Sequence, residues 1–188
     1  MTEEQTQSLK EIKKKPTSRK KTLKAFIETI RLLINVAAIA VLIAVLLIPV
    51  LRIYGNSMTP TLTEGDLIIS IKGANFERGD IIAFYYNNKV LVKRVIAFPG
   101  EWVDISENGE VSINGELQAE PYVQNQALGT CDIKLPYQVP EDRYFVMGDK
   151  RAVSIDSRSS SIGCIAKEQI VGKIVFRIWP FKDFGIVN

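Results

Sequence analysis

The chain has 188 residues, with 24 Lys and Arg against 21 Asp and Glu, a length that accommodates one compact domain once an N-terminal fifth is set aside. Beyond residue 52 the count is 14 basic to 17 acidic, so the net charge of +3 belongs to the N-terminal part and a basic nucleic-acid surface on the folded part is excluded. There is no histidine and there are only two cysteines, which argues against a structural zinc site and removes the usual imidazole base; no cofactor is expected.

The first two dozen residues are polar and basic without apolar periodicity, and residues 1–31 are expected to form a basic cytoplasmic tail, disordered at its start and close to anionic headgroups. Residues 32–51 form an apolar run broken only by Asn35 and Pro49. At ~1.5 Å per residue it spans the ~30 Å core of a bilayer, so a single transmembrane helix is expected. A cleavable leader needs a shorter apolar segment and small residues at a cut site, and Pro49-Val50-Leu51-Arg52-Ile53-Tyr54 supplies none. A buried core helix would carry a polar face, which the run lacks. Eight Lys and Arg fall in residues 12–31 against Arg52 alone in residues 52–71, so the N-terminus is expected in the cytoplasm and residues 52–188 outside it. On that topology Cys131 and Cys164 lie where a disulfide persists, and whether they pair stays open.

After the span, short runs separated by Gly, Pro, Asn and Asp predict a mainly β domain. Strands are expected at 67–72, 80–86, 90–97, 102–106, 111–113, 143–147 and 170–178, with turns at Asn87-Asn88, Asn108-Gly109, Asn114-Gly115 and Glu77-Arg78-Gly79-Asp80. Helix is expected only in short pieces, around 60–64 and 167–170. Trp179, Phe181 and Phe184 fit either a lipid interface or the core.

Three stretches carry chemistry. Ser57 stands in Gly55-Asn56-Ser57-Met58-Thr59-Pro60-Thr61-Leu62, six residues beyond Leu51 and thus within ~20 Å of the end of the span even in an extended chain. A serine nucleophile must shed its proton as it attacks, and without histidine a lysine is the natural acceptor. Lys93 lies in Val90-Leu91-Val92-Lys93-Arg94-Val95-Ile96-Ala97, where period-2 alternation puts it on one face with Leu91 and Val95. The alternative for such a lysine is a solvated edge position. An apolar setting would lower its pKa from ~10.4 by the three units, roughly 4 kcal/mol, that base catalysis at neutral pH needs. The third stretch, Gly148-Asp149-Lys150-Arg151-Ala152-Val153-Ser154-Ile155-Asp156-Ser157-Arg158, interleaves acids, bases and hydroxyls at a density suited to a hydrogen-bonded network, or to an ordinary charged loop.

Taken in order, these stretches resemble the bacterial type I signal peptidases, membrane-bound serine–lysine endopeptidases. The resemblance extends through Arg78-Gly79-Asp80-Ile81-Ile82-Ala83-Phe84, Lys93-Arg94-Val95-Ile96-Ala97-Phe98-Pro99-Gly100-Glu101 and Ile178-Trp179-Pro180-Phe181, nearly the whole of residues 52–188. It implies an antiparallel β-sheet protease domain behind one transmembrane helix, with Ser57 as nucleophile, Lys93 as general base and Ser154 holding the lysine amine. Asp156, with Arg158 and Arg94, would form a supporting salt-bridge network, and Asp149 and Arg151 would brace the same loop. Met58, Leu91 and Val92 fit shallow substrate pockets, or equally the core.

The substrates implied are secretory preproteins with small residues at the first and third positions before the cut. They would be processed at the outer surface of the cell membrane, in reach of the export channel, with no nucleic acid involved. Gly55 stands where some family members carry a serine that helps hold the oxyanion, so that task falls to backbone N–H groups, chiefly that of Ser57. Lys150 and Val153 replace common asparagines. Two other readings are a self-cleaving serine–lysine repressor, which would be soluble, and a membrane-tethered preprotein-binding or pilus-assembly factor without activity, which would have lost the dyad.

Overall fold

The computed structural model describes residues 18–47 and 49–187. Its first unit is a helix, α1, Ser18–Leu47. Residues 18–31 carry Lys, Leu, Glu and Arg, good helix formers, without Gly or Pro, which continues the helix upstream of the apolar run into residues read from sequence as tail. The described helix ends at Leu47, ahead of Pro49, whose missing N–H and fixed φ do not suit a helix interior. Of the expected span of 32–51, residues 32–47 lie in this helix, while Val50 and Leu51 belong to a strand. Lys21–Ala44 is long and apolar enough to cross a membrane. The part of the expected tail in residues 1–17 lies outside the described residues.

The second unit is all antiparallel β apart from two one-turn 3-10 segments, Lys167–Gln169 and Phe181–Asp183. Its strands are β1 (Val50–Arg52), β2 (Leu67–Ile71), β3 (Ile81–Tyr86), β4 (Lys89–Ala97), β5 (Trp102–Ile105), β6 (Val111–Ile113), β7 (Glu116–Leu117), β8 (Tyr137–Gln138), β9 (Arg143–Met147), β10 (Ile165–Ala166), β11 (Ile170–Trp179) and β12 (Gly185–Ile186). A large sheet runs β1-β2-β11-β3-β4-β9-β10, with β12 also on β11, and a small one runs β7-β6-β5-β8. The expected helix near residue 60 is a series of turns.

The core explains why β3 is apolar without alternation. Ile81 and Ala83 join Ile53, Met58, Leu62, Ile68 and Ile174 on one side, while Ile82 and Phe84 join Val95, Val146 and Ile165 on the other. A strand covered on both faces needs apolar residues at every position. The small sheet closes a third cluster, in which Val103, Ile105, Val111 and Ile113 meet Ile96, Phe145 and Met147. Trp179, Phe181 and Phe184 remain outside the core, exposed.

Candidate active site

Ser57 sits on the turn that follows β1. Gly55 has φ +81°, a left-handed conformation open to glycine at little cost, and it reverses the chain just ahead of the serine. Met58 and Leu62, 2% and 0% exposed, fix the far side of the turn in the core, and Leu62 N–H donates to Met58 O at 2.9 Å. The carbonyl of Ser57 accepts the Lys150 N–H at 3.0 Å, which ties this turn to the 148–158 loop. The N–H of Ser57 makes no hydrogen bond among the described residues, leaving it a free donor.

Lys93 is brought alongside by β4, where it pairs with Ile82 of β3. It is 4% exposed, and its Nζ lies in hydrogen-bond contact with Ser57 Oγ at 2.6 Å. Burial pushes the amine down from 10.5 to about 8; Asp156 and Asp149 pull it up, and Arg158 adds to the lowering. With that value about a tenth of the amine is neutral at pH 7, against under a thousandth for a solvated lysine.

The 148–158 loop forms the wall behind this pair. Arg158 and Asp156 make a fully buried bidentate ion pair, Nε to Oδ1 and Nη2 to Oδ2, both 2.8 Å. Burial alone would raise the Asp156 carboxyl, but the Arg158 bonds and charge outweigh it and the net shift is downward. Arg94 is not part of this pair, as the sequence reading had it: it binds Asp149 instead, at 2.8 and 2.7 Å, and donates to Gly79 O. The reason lies in sheet register, which sets Arg94 opposite Met147 and so beside Asp149 two residues on. Arg151 donates from Nε to Gly148 O at 3.1 Å within the loop, and its ionic partner is Glu120, which no sequence signal picked out.

Ser154 is buried in the same wall, but among the described residues its Oγ meets no partner at hydrogen-bond length, the lysine amine included. It abuts Gly148 instead. A Cβ at Gly148 would come within 2.3 Å of Ser154 Oγ and 2.6 Å of the Ser57 carbonyl oxygen. Gly148→Ala must therefore push back the turn that carries Ser57. The expected result is a loss of about 1–3 kcal/mol in stability by urea unfolding and a fall in turnover of at least tenfold; an alanine variant as fast and as stable as the parent would refute that close packing.

A cleft of about 500 Å³ opens beside the pair. Met58, Leu91 and Val92 line it, joined by Ile53, Tyr54 and Val90, whose adjacency to the two motifs was the available signal. Residues 89–93 of β4 pair with β3 only, since pairing with β9 begins at Arg94, so one edge of this stretch is free along the cleft. The charged residues on its lining are Arg52, Lys89 and Lys93, with no carboxylate. Elsewhere, Cys131 and Cys164 are both free thiols, and burial raises that of Cys164 to about 11. No group of three His, Cys, Asp or Glu suited to a metal occurs among the described residues.

Comparison with known proteins converges on one group. The family described as signal peptidase, peptidase S26, matches residues 26–179. Signal peptidase IB of Staphylococcus aureus is 40% identical over 152 residues, covering 70% of this chain and 78% of its own length. Signal peptidase I of Bacillus amyloliquefaciens is 38% identical over 200 residues, 97% of each chain. The crystal structure of a signal peptidase I from Enterococcus faecalis V583 has 32% identity and a TM-score of 0.44, covering 53% of this chain and 97% of that one.

Proposed function

This chain belongs to the signal peptidase family, peptidase S26, and from that premise we propose that it removes signal peptides from preproteins with Ser57 as nucleophile and Lys93 as general base. The observation that carries the proposal is the 2.6 Å contact between a serine hydroxyl and a buried amine of lowered pKa. Neutral Nζ takes the hydroxyl proton as Oγ attacks the scissile carbonyl, and the ammonium returns that proton to the leaving amine. Water then attacks the acyl-enzyme, with Lys93 again accepting the proton. The oxyanion falls to the free N–H of Ser57, because Gly55 supplies no side chain; such donors contribute roughly 3–4 kcal/mol.

The substrate enters as an extended strand along the free edge of residues 89–93, where main-chain hydrogen bonds hold any sequence and the apolar lining accepts small side chains. Helix α1 anchors the enzyme in the cell membrane, its basic flank cytoplasmic, and the catalytic unit works on the outer face where preproteins emerge from the export channel. The reading as a non-catalytic assembly factor has nothing to favour it, since both members of the dyad are present and in contact.

The test is the pH dependence of kcat/KM on a preprotein. Only the neutral amine works as a base, so the rate is expected to rise about tenfold per pH unit below about 8 and to level off above it. Full activity persisting at pH 5 would rule out Lys93 as the base.

A further inference from the structure

Glu120 belongs to none of the motifs and lies in the irregular segment between β7 and β8, yet its side chain is only 1% exposed. Its carboxylate accepts both terminal nitrogens of Arg151, at 2.9 and 2.5 Å, and the Tyr122 hydroxyl at 3.0 Å. Arg151 passes the constraint on: its Nε holds Gly148 O, and Gly148 is wedged against Ser154 Oγ and the carbonyl of Ser57. The ring of Tyr122 lies 3.9 Å beneath the guanidinium of Arg94, which grips Asp149, the next residue of the same turn.

The segment is pinned further along as well. Arg158, partner of Asp156, donates to Leu128 O at 2.6 Å, and a Cβ at Gly129 would lie 2.3 Å from Arg151 O. Residues 120–129 thus form a strap across the 148–158 loop, fastened by the same arginines whose other contacts reach the catalytic pair.

We propose that Glu120 is a positioning residue for the reaction: through Arg151 and Gly148 it sets where the carbonyl of Ser57, and with it Oγ, stands relative to Lys93 Nζ. The inference rests on the serine–lysine reading above. A buried, bidentate, tyrosine-supported carboxylate is costly to keep for loop stability alone, since an ion pair in such a place contributes no more than apolar residues of similar volume. Its geometry differs from theirs: two parallel bonds fix the direction of the guanidinium, and so of Nε toward Gly148 O. Because Glu120 does not line the cleft, its loss should act on turnover and leave substrate binding alone.

The experiment compares Glu120→Gln with the double variant Glu120→Leu/Arg151→Met in the full-length protein, measuring Tm, kcat and KM on a preprotein. The expected result is a kcat at least ~10-fold lower for Glu120→Gln with KM changed less than about twofold. The double variant, freed of an unpaired buried charge, should regain the parental Tm and remain slow. Recovery of kcat together with Tm in the double variant would show a purely structural pair and overturn the proposal, as would a folded Glu120→Gln with parental kcat. If the single variant does not fold, the double variant decides alone. Failure of the serine–lysine reading is separately visible, because Ser57→Ala would then retain activity whatever Glu120 does.

Discussion

Lys93→Met is expected to abolish cleavage, by ~10³-fold or more, and at the same time to make the domain more stable at pH 7. On the proposed mechanism, the first effect removes the one group among the described residues in hydrogen-bond contact with Ser57 Oγ, the acceptor of its proton. The second follows from burial. The folded pKa of about 8 lies below the ordinary 10.5, so enclosing the ammonium costs stability. That cost, about 3 kcal/mol, is present in full below pH 8, diminishes between 8 and 10.5, and is gone above. Methionine keeps the bulk of the stem without the charge, and the variant should melt several degrees higher at pH 7, with the difference shrinking as the pH nears 10.5. Ser57→Ala should lose activity to a similar extent with no such pH-dependent gain. Equal melting of Lys93→Met and parent at both pH values would mean that the amine is hydrated, and undiminished cleavage would dismiss it as the base.

Arg158→Met is expected to cost about 3–5 kcal/mol, because it strands the Asp156 carboxylate in a site where both side chains are 0% exposed and also frees the carbonyls of Leu128 and Arg151. It should alter the chemistry in a direction that can be stated. Arg158 lowers the Lys93 pKa and Asp156 raises it, with Asp149 also raising it. Removing the guanidinium displaces the pH–rate profile to higher pH; Asp156→Asn displaces it to lower pH. Urea unfolding gives the first quantity and the profile the second. Displacements of the same sign in the two variants would contradict an electrostatic influence of this pair on the lysine.

What could be read from the sequence follows a physical division. Ser57 and Lys93, which lie in contact, and Met58, Leu91 and Val92, which line the cleft, could be singled out from the sequence because each lies in a short segment whose character is set locally. The strands of four or more residues were legible for the same reason, and the three-residue β6 through the Asn-Gly turns on either side of it, while β1, β7, β8, β10 and β12, of two or three residues, lack both periodicity and such a pair of turns. The partners of Arg94 and Arg151 were not legible. Arg94 meets Asp149 through the register of β4 with β9, and Arg151 meets Glu120 across a separation of 31 residues through an irregular strap. Nothing in the run Ala119-Glu120-Pro121-Tyr122 distinguishes that glutamate from a solvated one. The described helix covers more than the apolar run because such a run marks the thickness of a membrane, whereas helix propensity lets the coil of backbone include residues 18–31 as well.

An unpaired strand edge invites another molecule of the same protein to add itself, sheet to sheet, into a growing array. The stretch of β4 along the cleft must stay open if peptides are to dock there, so it cannot be capped or covered. Lys89 on that stretch and Arg52 across the cleft answer the hazard: brought face to face, two copies would oppose cation with cation, while a peptide lacking positive charge meets no such barrier. On the proposed reading, the same opening that would admit a client also discourages self-association.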